Sequence, residues 1–506
     1  MMCAYGSWLG LALGVLLLSA VLPAAGRPEA QLGAWTGAAS TSTPTLTQTM
    51  TPTATLTPTV TITPTVIFPS TVRQGTVVLR AYPYEAYLEE AYDAYYNWHY
   101  RRLNWGAYNG ALRIPADRGF TALILENEYL RVTVLPELGG RVFECIFKPT
   151  GHNAFYRNPV LKPTHWGPSE QGWWLGLGGL EWCLPVAEHG YESGAPWSFE
   201  TIQAADGVTV TVRDSTAADR LRARVDIALP AGWAYFSVSP HIENPTPAPV
   251  AYKFWLNAML APGGTNAPSN QLQFALPVSQ MTLHSRDDRW PGLPGPGGAF
   301  DWPAPGGRDL SLLGNWPYYL GAFERPAAGD FMGVYDRRAG EGLVRVFPSD
   351  VAHGAKVFSG GYGANALPPN LWTDDLSYYV ELHGGIMPTF DHVATLPAGG
   401  RLSWTEHWYP MATIGGLSCA TREAALNLSL TSQGATLGVA TTSERRGSVV
   451  ALRRRGDGAL LFQDTIPLIS PAQPYVSAPV AVGSLQRDEL TLSYNDFSGA
   501  LLATCR

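Results

Sequence analysis

The chain has 506 residues, 46% of them hydrophobic, and a formal net charge of −7. That length exceeds one small core and argues for two or three domains. The densest basic run is only Arg453-Arg454-Arg455, so no stripe is available to neutralise phosphates and nucleic acid is not an expected partner.

The first element is an apolar stretch from Trp8 to about Ala25, followed by the small residues Ala24, Ala25 and Gly26. Residues 1–26 read as a secretory signal peptide, although no Lys or Arg precedes the apolar run. The stretch also reaches the length of a minimal membrane span, so an uncleaved anchor tethering the protein to the cell envelope is the alternative. Either way the expected location is secreted or cell-surface. Residues 27–72 read as a Thr/Pro-rich disordered linker. From Thr41 to Thr65 every odd-numbered residue is threonine, with Pro44, Pro52, Pro58 and Pro64 between them. Repeated prolines cannot serve a central sheet, and the composition fits an extended, O-glycosylated spacer.

Loss of the signal leaves Cys145, Cys183, Cys419 and Cys505. An oxidising compartment permits two bridges, and sequence does not fix the connectivity. Cys419–Cys505 is the preferred pair because it brackets the C-terminal segment; Cys145–Cys183 would be the other. No CxxC pair and no zinc-type Cys/His spacing occurs, so neither metal nor cofactor is expected.

Residues 73–414 read as one large all-β domain. Its entrance, AYPYEAYLEEAYDAYYNWHYRRLNWGAY, admits either an amphipathic helix or aromatic strands. From Thr121 onward runs such as TALILENEYLRVTVLP, RLRARVDIALP and AYKFWLNAMLAPG alternate in strand fashion between Gly, Pro, Asn and Asp, which predicts a large antiparallel sandwich. Residues 415–506 carry fewer aromatics and read as a small accessory β-sandwich.

Seventeen Trp and 23 Tyr fit large buried areas and also surfaces that stack on sugar rings. Against that background three segments place carboxylates among aromatics. In SYYVELHGG, Tyr379, Glu381 and His383 share one strand face. In LSWTEHWYP, Glu406 shares its face with Trp404 and Trp408. In GWWLGLGGLEWCLPVAEHG, Glu181 follows a glycine-rich turn and Glu188-His189 lie just downstream. A carboxylate beside aromatics can accept a sugar-hydroxyl proton while a histidine or a second carboxyl donates one. The bland alternative pairs one or two of these glutamates with Arg141, Arg345 or Arg401. The doublets Asp287-Asp288 and Asp374-Asp375 are turn residues or, less simply, calcium ligands.

LENEYLRVTVLPELGGRVFECIFKPTGHNAFYRNPVLKP resembles the opening of a family of bacterial domains of unknown function within the galactose mutarotase-like superfamily. GGLEWCLP, VAHGAKVF, YYVELHGG and SWTEHWYP resemble its later blocks, in matching order over residues 115 to 412. The resemblance implies a galactose mutarotase-like β-supersandwich with a sugar-sized cleft. In the aldose 1-epimerases of that superfamily a late-strand glutamate is the base, and Glu381 matches it. Their histidine acid belongs to a strand whose counterpart here is KFWLNAML, where Trp255 or Leu256 stands instead. His353, His383, His189 or Glu181 would have to supply the acid, with Arg141, Trp182, Tyr379, Asn257 and Trp255 holding the saccharide. The expected function is a secreted carbohydrate-active protein with glycoside-processing or epimerase-like chemistry, the alternative a non-catalytic carbohydrate-binding or structural cell-surface protein.

Overall fold

In the segment LENEYL, Asn127 Oδ1 accepts the backbone N–H groups of Tyr129 and Leu130 at 2.9 and 2.8 Å. This side-chain turn folds the strand Ala116–Glu126 back onto Leu130–Leu135. The Asn127 amide also donates to the carbonyls of Pro230 and Trp233, tying this turn to a distant segment. The computed structural model describes residues 69–325 and 329–505. The expected signal segment and nearly all of the linker lie outside the described residues.

Two large sheets, antiparallel apart from one short parallel pair, Arg80–Ala81 with Val160–Leu161, carry the main domain. One has 13 strands and contains, in spatial order, Gly354–Ser359, Val380–Gly385, Trp255–Leu260, Gly179–Cys183 and Arg141–Phe147 at its centre. The other has nine strands, among them Arg222–Pro230, Phe236–Glu243, Glu406–Ala412 and Glu341–Val346. Apolar residues at alternate positions of both sheets form one shared core, including Val132, Leu180, Trp182, Leu256, Val357 and Leu382 from the first and Val225, Ile227, Val238, Leu343 and Trp408 from the second. This is the two-sheet supersandwich the sequence predicts. Residues one place along each central strand of the large sheet must then face away from the core.

The aromatic entrance is chiefly a strand pair, Leu88–Asp93 with Trp98–Leu103, followed by the short helix Trp105–Gly110. Tyr84, Leu103 and Tyr108 pack with Phe120, Leu135 and Trp173 in a second cluster.

The C-terminal segment from Cys419 forms two four-stranded sheets around its own core of residues such as Leu426, Leu437, Leu452 and Leu492. Tyr335, Tyr409, Ile414 and Leu417 pack with Ala425 and Ala440 where it meets the main domain. Cys419 and Cys505 are bridged across a sequence separation of 86 residues. Cys145 and Cys183 are free, which corrects the second expected bridge. Cys145 belongs to the core between the sheets, whereas Cys183 packs with Trp255, Phe323 and Phe390 on the opposite face.

Candidate functional site

Strand register places Glu181 opposite Asn257, Asn257 opposite His383, and His383 opposite Lys356. Four neighbouring strands thus present one polar row on the face of the large sheet turned away from the core. Glu381 stands in the adjacent row, opposite Met259 and Phe358. Above it lies a cavity of about 480 Å³, lined by Glu381, Tyr379, Trp174, His189, Glu188 and His284 among others.

Arginines sort the three candidate glutamates. Glu406 receives both Nε and Nη2 of Arg345 at 2.7 Å inside the inter-sheet core. Glu181 accepts Arg141 Nη2 at 3.1 Å, Trp174 Nε1, His189 Nδ1 at 2.9 Å and Asn257 Nδ2. Arg141 is itself fully buried, its remaining donors on the carbonyls of Leu138, Gly178 and Ser193. Arg401 turns instead to Glu243. Among the described residues no arginine pairs with Glu381, and it lines the cavity.

Glu381 Oε2 lies 2.8 Å from His383 Nε2, and its Oε1 lies 3.4 Å from the Asn257 amide. Burial pushes the Glu381 carboxyl up, but the His383 hydrogen bond and the nearby His189 and Lys356 outweigh it and hold it below the ordinary carboxylate range. Burial, then the charge of Lys356, pushes His383 down to about 4. A neutral His383 facing a carboxylate must donate through Nε2. His383 is therefore a fixed donor to Glu381. Lys356, wholly buried against Phe390, donates to Glu188 Oε1 at 2.9 Å. Burial raises the Glu188 carboxyl, yet Lys356 and His284 hold it well below the usual range.

Glu181 is likewise held below the ordinary range, burial being outweighed by His189, Arg141 and Trp174. It is an ionised acceptor with its lone pairs occupied, suited to orienting a partner and unsuited to giving up a proton. That partner is His189. A carboxylate only accepts, so His189 carries a proton on Nδ1 toward Glu181, and its Nε2 has no hydrogen bond among the described residues. The imidazole stacks on Trp174, with centroids 3.8 Å apart, and lines the cavity. Glu188 and His189 both have left-handed backbone, with φ of 56° and 71°. Two consecutive non-glycine residues in that region mark a conformation the surroundings must enforce, as at many functional sites.

The glycines of GLGGLEW serve another backbone. Gly178 and Gly179 have φ of 100° and 74°, and a side chain on either would collide with the carbonyl of Tyr156 or Val142.

Of the remaining candidates, Tyr379 lines the cavity beside Glu381, and Asn257 touches both Glu181 and Glu381 from below. Trp182 points into the core between the sheets, its indole donating to Gly140 O. Trp255 is fully buried against Phe323 and Phe390. His353 is exposed in a loop, its Nδ1 on Ser349 O, away from the cavity lining. Sequence reading passed over Lys356 and His284. Lys356 was legible in principle, since it lies in HGAKVF at the alternate positions that face the site. His284, in MTLHS, has the same alternate placement, across the strand from the core residues Met281 and Leu283.

The Asp287 and Asp374 carboxylates are taken by Arg289 and Lys162. Among the described residues no three His, Cys, Asp or Glu side chains gather in a metal-ligating group.

Residues 103–398 match the family described as a domain of unknown function, DUF5107. The chain belongs to that family. Residues 419–504 match a second description, the second domain of YphG-like proteins. Among solved structures, a TPR-domain containing protein from Parabacteroides distasonis is similar, at 19% identity and a TM-score of 0.55 over 68% of this chain and 55% of that one. This chain thus spans about half of that protein's length. A galactose mutarotase-like protein from Clostridium acetobutylicum overlaps at 10% identity and a TM-score of 0.39, over 58% of this chain and 96% of its own. A galactose mutarotase related enzyme from Lactobacillus acidophilus overlaps at 11% and 0.39, over 58% and 98%. None of the three carries an activity across to this chain.

Proposed function

We propose that the cavity is a saccharide site performing acid/base chemistry, with Glu381 as base, His189 as acid and Glu181 as the group that orients His189. The observation that carries this reading is the sorting of the glutamates: of Glu181, Glu406 and Glu381 only Glu381 lacks an arginine partner among the described residues and lines the cavity, while Glu188 on the same lining is held by Lys356 and His284. Its lowered carboxyl is ionised at neutral pH and ready to accept a proton.

On an epimerase-like path, Glu381 takes the proton of the anomeric hydroxyl while protonated His189 gives its Nε2 proton to the ring oxygen. The ring C–O bond breaks as the carbonyl forms. Closure on the other face reverses each transfer, and both residues return to their starting states. For glycoside hydrolysis His189 would protonate the leaving glycosidic oxygen while Glu381 takes a proton from the water that attacks the anomeric carbon, so that the C–O bond broken is replaced by one to water. Aromatic walls from Trp174, Tyr379 and Tyr319 support a sugar ligand. Action outside the cytoplasm belongs to the same proposal, and the Cys419–Cys505 bridge is consistent with it.

The test offers the protein a panel of reducing sugars and aryl glycosides. Anomer exchange is followed by NMR, bond cleavage by chromophore release and binding by calorimetry. Turnover of at least one sugar is expected. Binding without turnover would make this a sugar-binding protein, and no binding at all would overturn the saccharide reading.

A further inference from the structure

A second cavity, of about 630 Å³, opens beside the first. The two share a wall: His165 and Trp166 line both. We propose that the natural ligand is an oligosaccharide whose neighbouring unit occupies this second cavity. The inference rests on the saccharide reading of the first cavity and deepens it.

The wall has the makeup of a carbohydrate platform. The Trp105 indole stacks on His165 with centroids 3.6 Å apart and an interplanar angle of 22°. Its Nε1 is pinned to Gly172 O at 2.7 Å, so the ring is held in one orientation before any ligand arrives. Trp166 packs against Trp372. Flat, immobilised aromatic faces suit the C–H faces of a pyranose at little entropic cost.

The floor supplies polar groups that are equally fixed. Lys162 Nζ is held by Asn370 O at 2.8 Å and Asp374 Oδ1 at 2.9 Å, and Tyr82 donates to the other Asp374 oxygen. Leu112 and Leu371 stand at the rim, 82% and 43% exposed. Rigid aromatics, a few convergent polar groups and an apolar rim are what a neutral sugar with hydroxyl edges and hydrocarbon faces would select.

Continuity is the decisive feature. A free monosaccharide has no use for a second stacking platform across one shared wall, whereas a chain leaving the first cavity past His165 and Trp166 enters the second at once. The reacting unit would lie over Glu381 and its neighbour against Trp105.

The experiment compares affinities of mono-, di- and tetrasaccharides of gluco, galacto, manno and xylo configuration for wild type, Trp105→Ala and Asn370→Trp. Asn370 is exposed and contributes only its main-chain carbonyl to Lys162, so the tryptophan obstructs the cavity without removing a packed side chain. Wild type is expected to bind the tetrasaccharide of the preferred series about tenfold or more tighter than the monosaccharide. Both variants should lose that gain while monosaccharide affinity stays unchanged. Affinity independent of length in wild type, or a gain kept in both variants, overturns the second subsite and leaves the first cavity standing. If no sugar binds at any length, the saccharide reading itself has failed and this inference falls with it.

Discussion

His383 donates through Nε2 to Glu381 Oε2 across 2.8 Å, from two positions farther along the same strand. The contact exists because alternate strand residues share a face. Its consequence is electrostatic: a neutral buried imidazole helps keep a buried carboxylate ionised. Removing the donor leaves burial less opposed, so His383→Leu should raise the Glu381 pKa. The acidic limb of the kcat/KM profile should then move to higher pH, by about one unit or more. An unmoved limb would mean that Glu381 does not set it.

His189 meets Glu181 through Nδ1 and leaves Nε2 over the cavity. His189→Gln keeps a donor toward Glu181 but cannot deliver a proton. Turnover should fall by roughly 10²- to 10⁴-fold with sugar affinity little changed. A loss of affinity with turnover of the bound sugar preserved would assign His189 to binding.

Glu324 is buried with no hydrogen-bond partner for either carboxyl oxygen among the described residues, and burial raises it from 4.5 to about 8. The folded protein therefore binds a proton that the unfolded chain releases. The stability linked to this group is fully present below about pH 4.5 and is lost as pH rises through about 8. Glu324→Gln keeps the shape and removes the titration. Its unfolding free energy from urea titration should match wild type at about pH 4 and exceed it at about pH 9, by on the order of 5 kcal/mol. Equal midpoints at both pH values would count against a buried, proton-bound Glu324.

The two glycines of YYVELHGG fill opposite demands. A side chain on Gly384 would run into the Arg345 guanidinium, and one on Gly385 into the Trp255 ring. Arg345 cannot yield freely, because it is clamped to Glu406 by two bonds of 2.7 Å. Gly384→Ala should therefore strain or break a buried ion pair and cost about 3–5 kcal/mol in denaturant unfolding. A loss under about 1 kcal/mol would show that the pair can shift aside.

Much of this was legible in the sequence, for physical reasons that differ by residue. Alternation along YYVELHGG separates Val380 and Leu382 from Tyr379, Glu381 and His383, and the sheet realises that division. The same rule applied to GLEWC puts Trp182 opposite Glu181, although tryptophan as a familiar stacking surface suggests a sugar-binding role. It is core. Asn257, His383 and Lys356 lie on three separate strands, and only register brings them into one row. Register depends on pairings between separate segments, which a single strand's pattern does not contain. The Glu181–Arg141 and Glu406–Arg345 pairs were open for the same cause: the sequence offered three arginines and three glutamates without matching them. The aromatic entrance resisted typing because its Tyr and Trp residues suit a helix face and a strand equally, and pairing with a partner strand decided it.

The most direct test of the account is Glu381→Gln, assayed beside wild type on whichever sugar wild type turns over. The amide preserves shape and removes the basic carboxylate. The account predicts unchanged affinity, an unaltered fold and turnover reduced by roughly 10²-fold or more. A variant that binds and turns over like wild type would contradict it, because the base would then lie elsewhere.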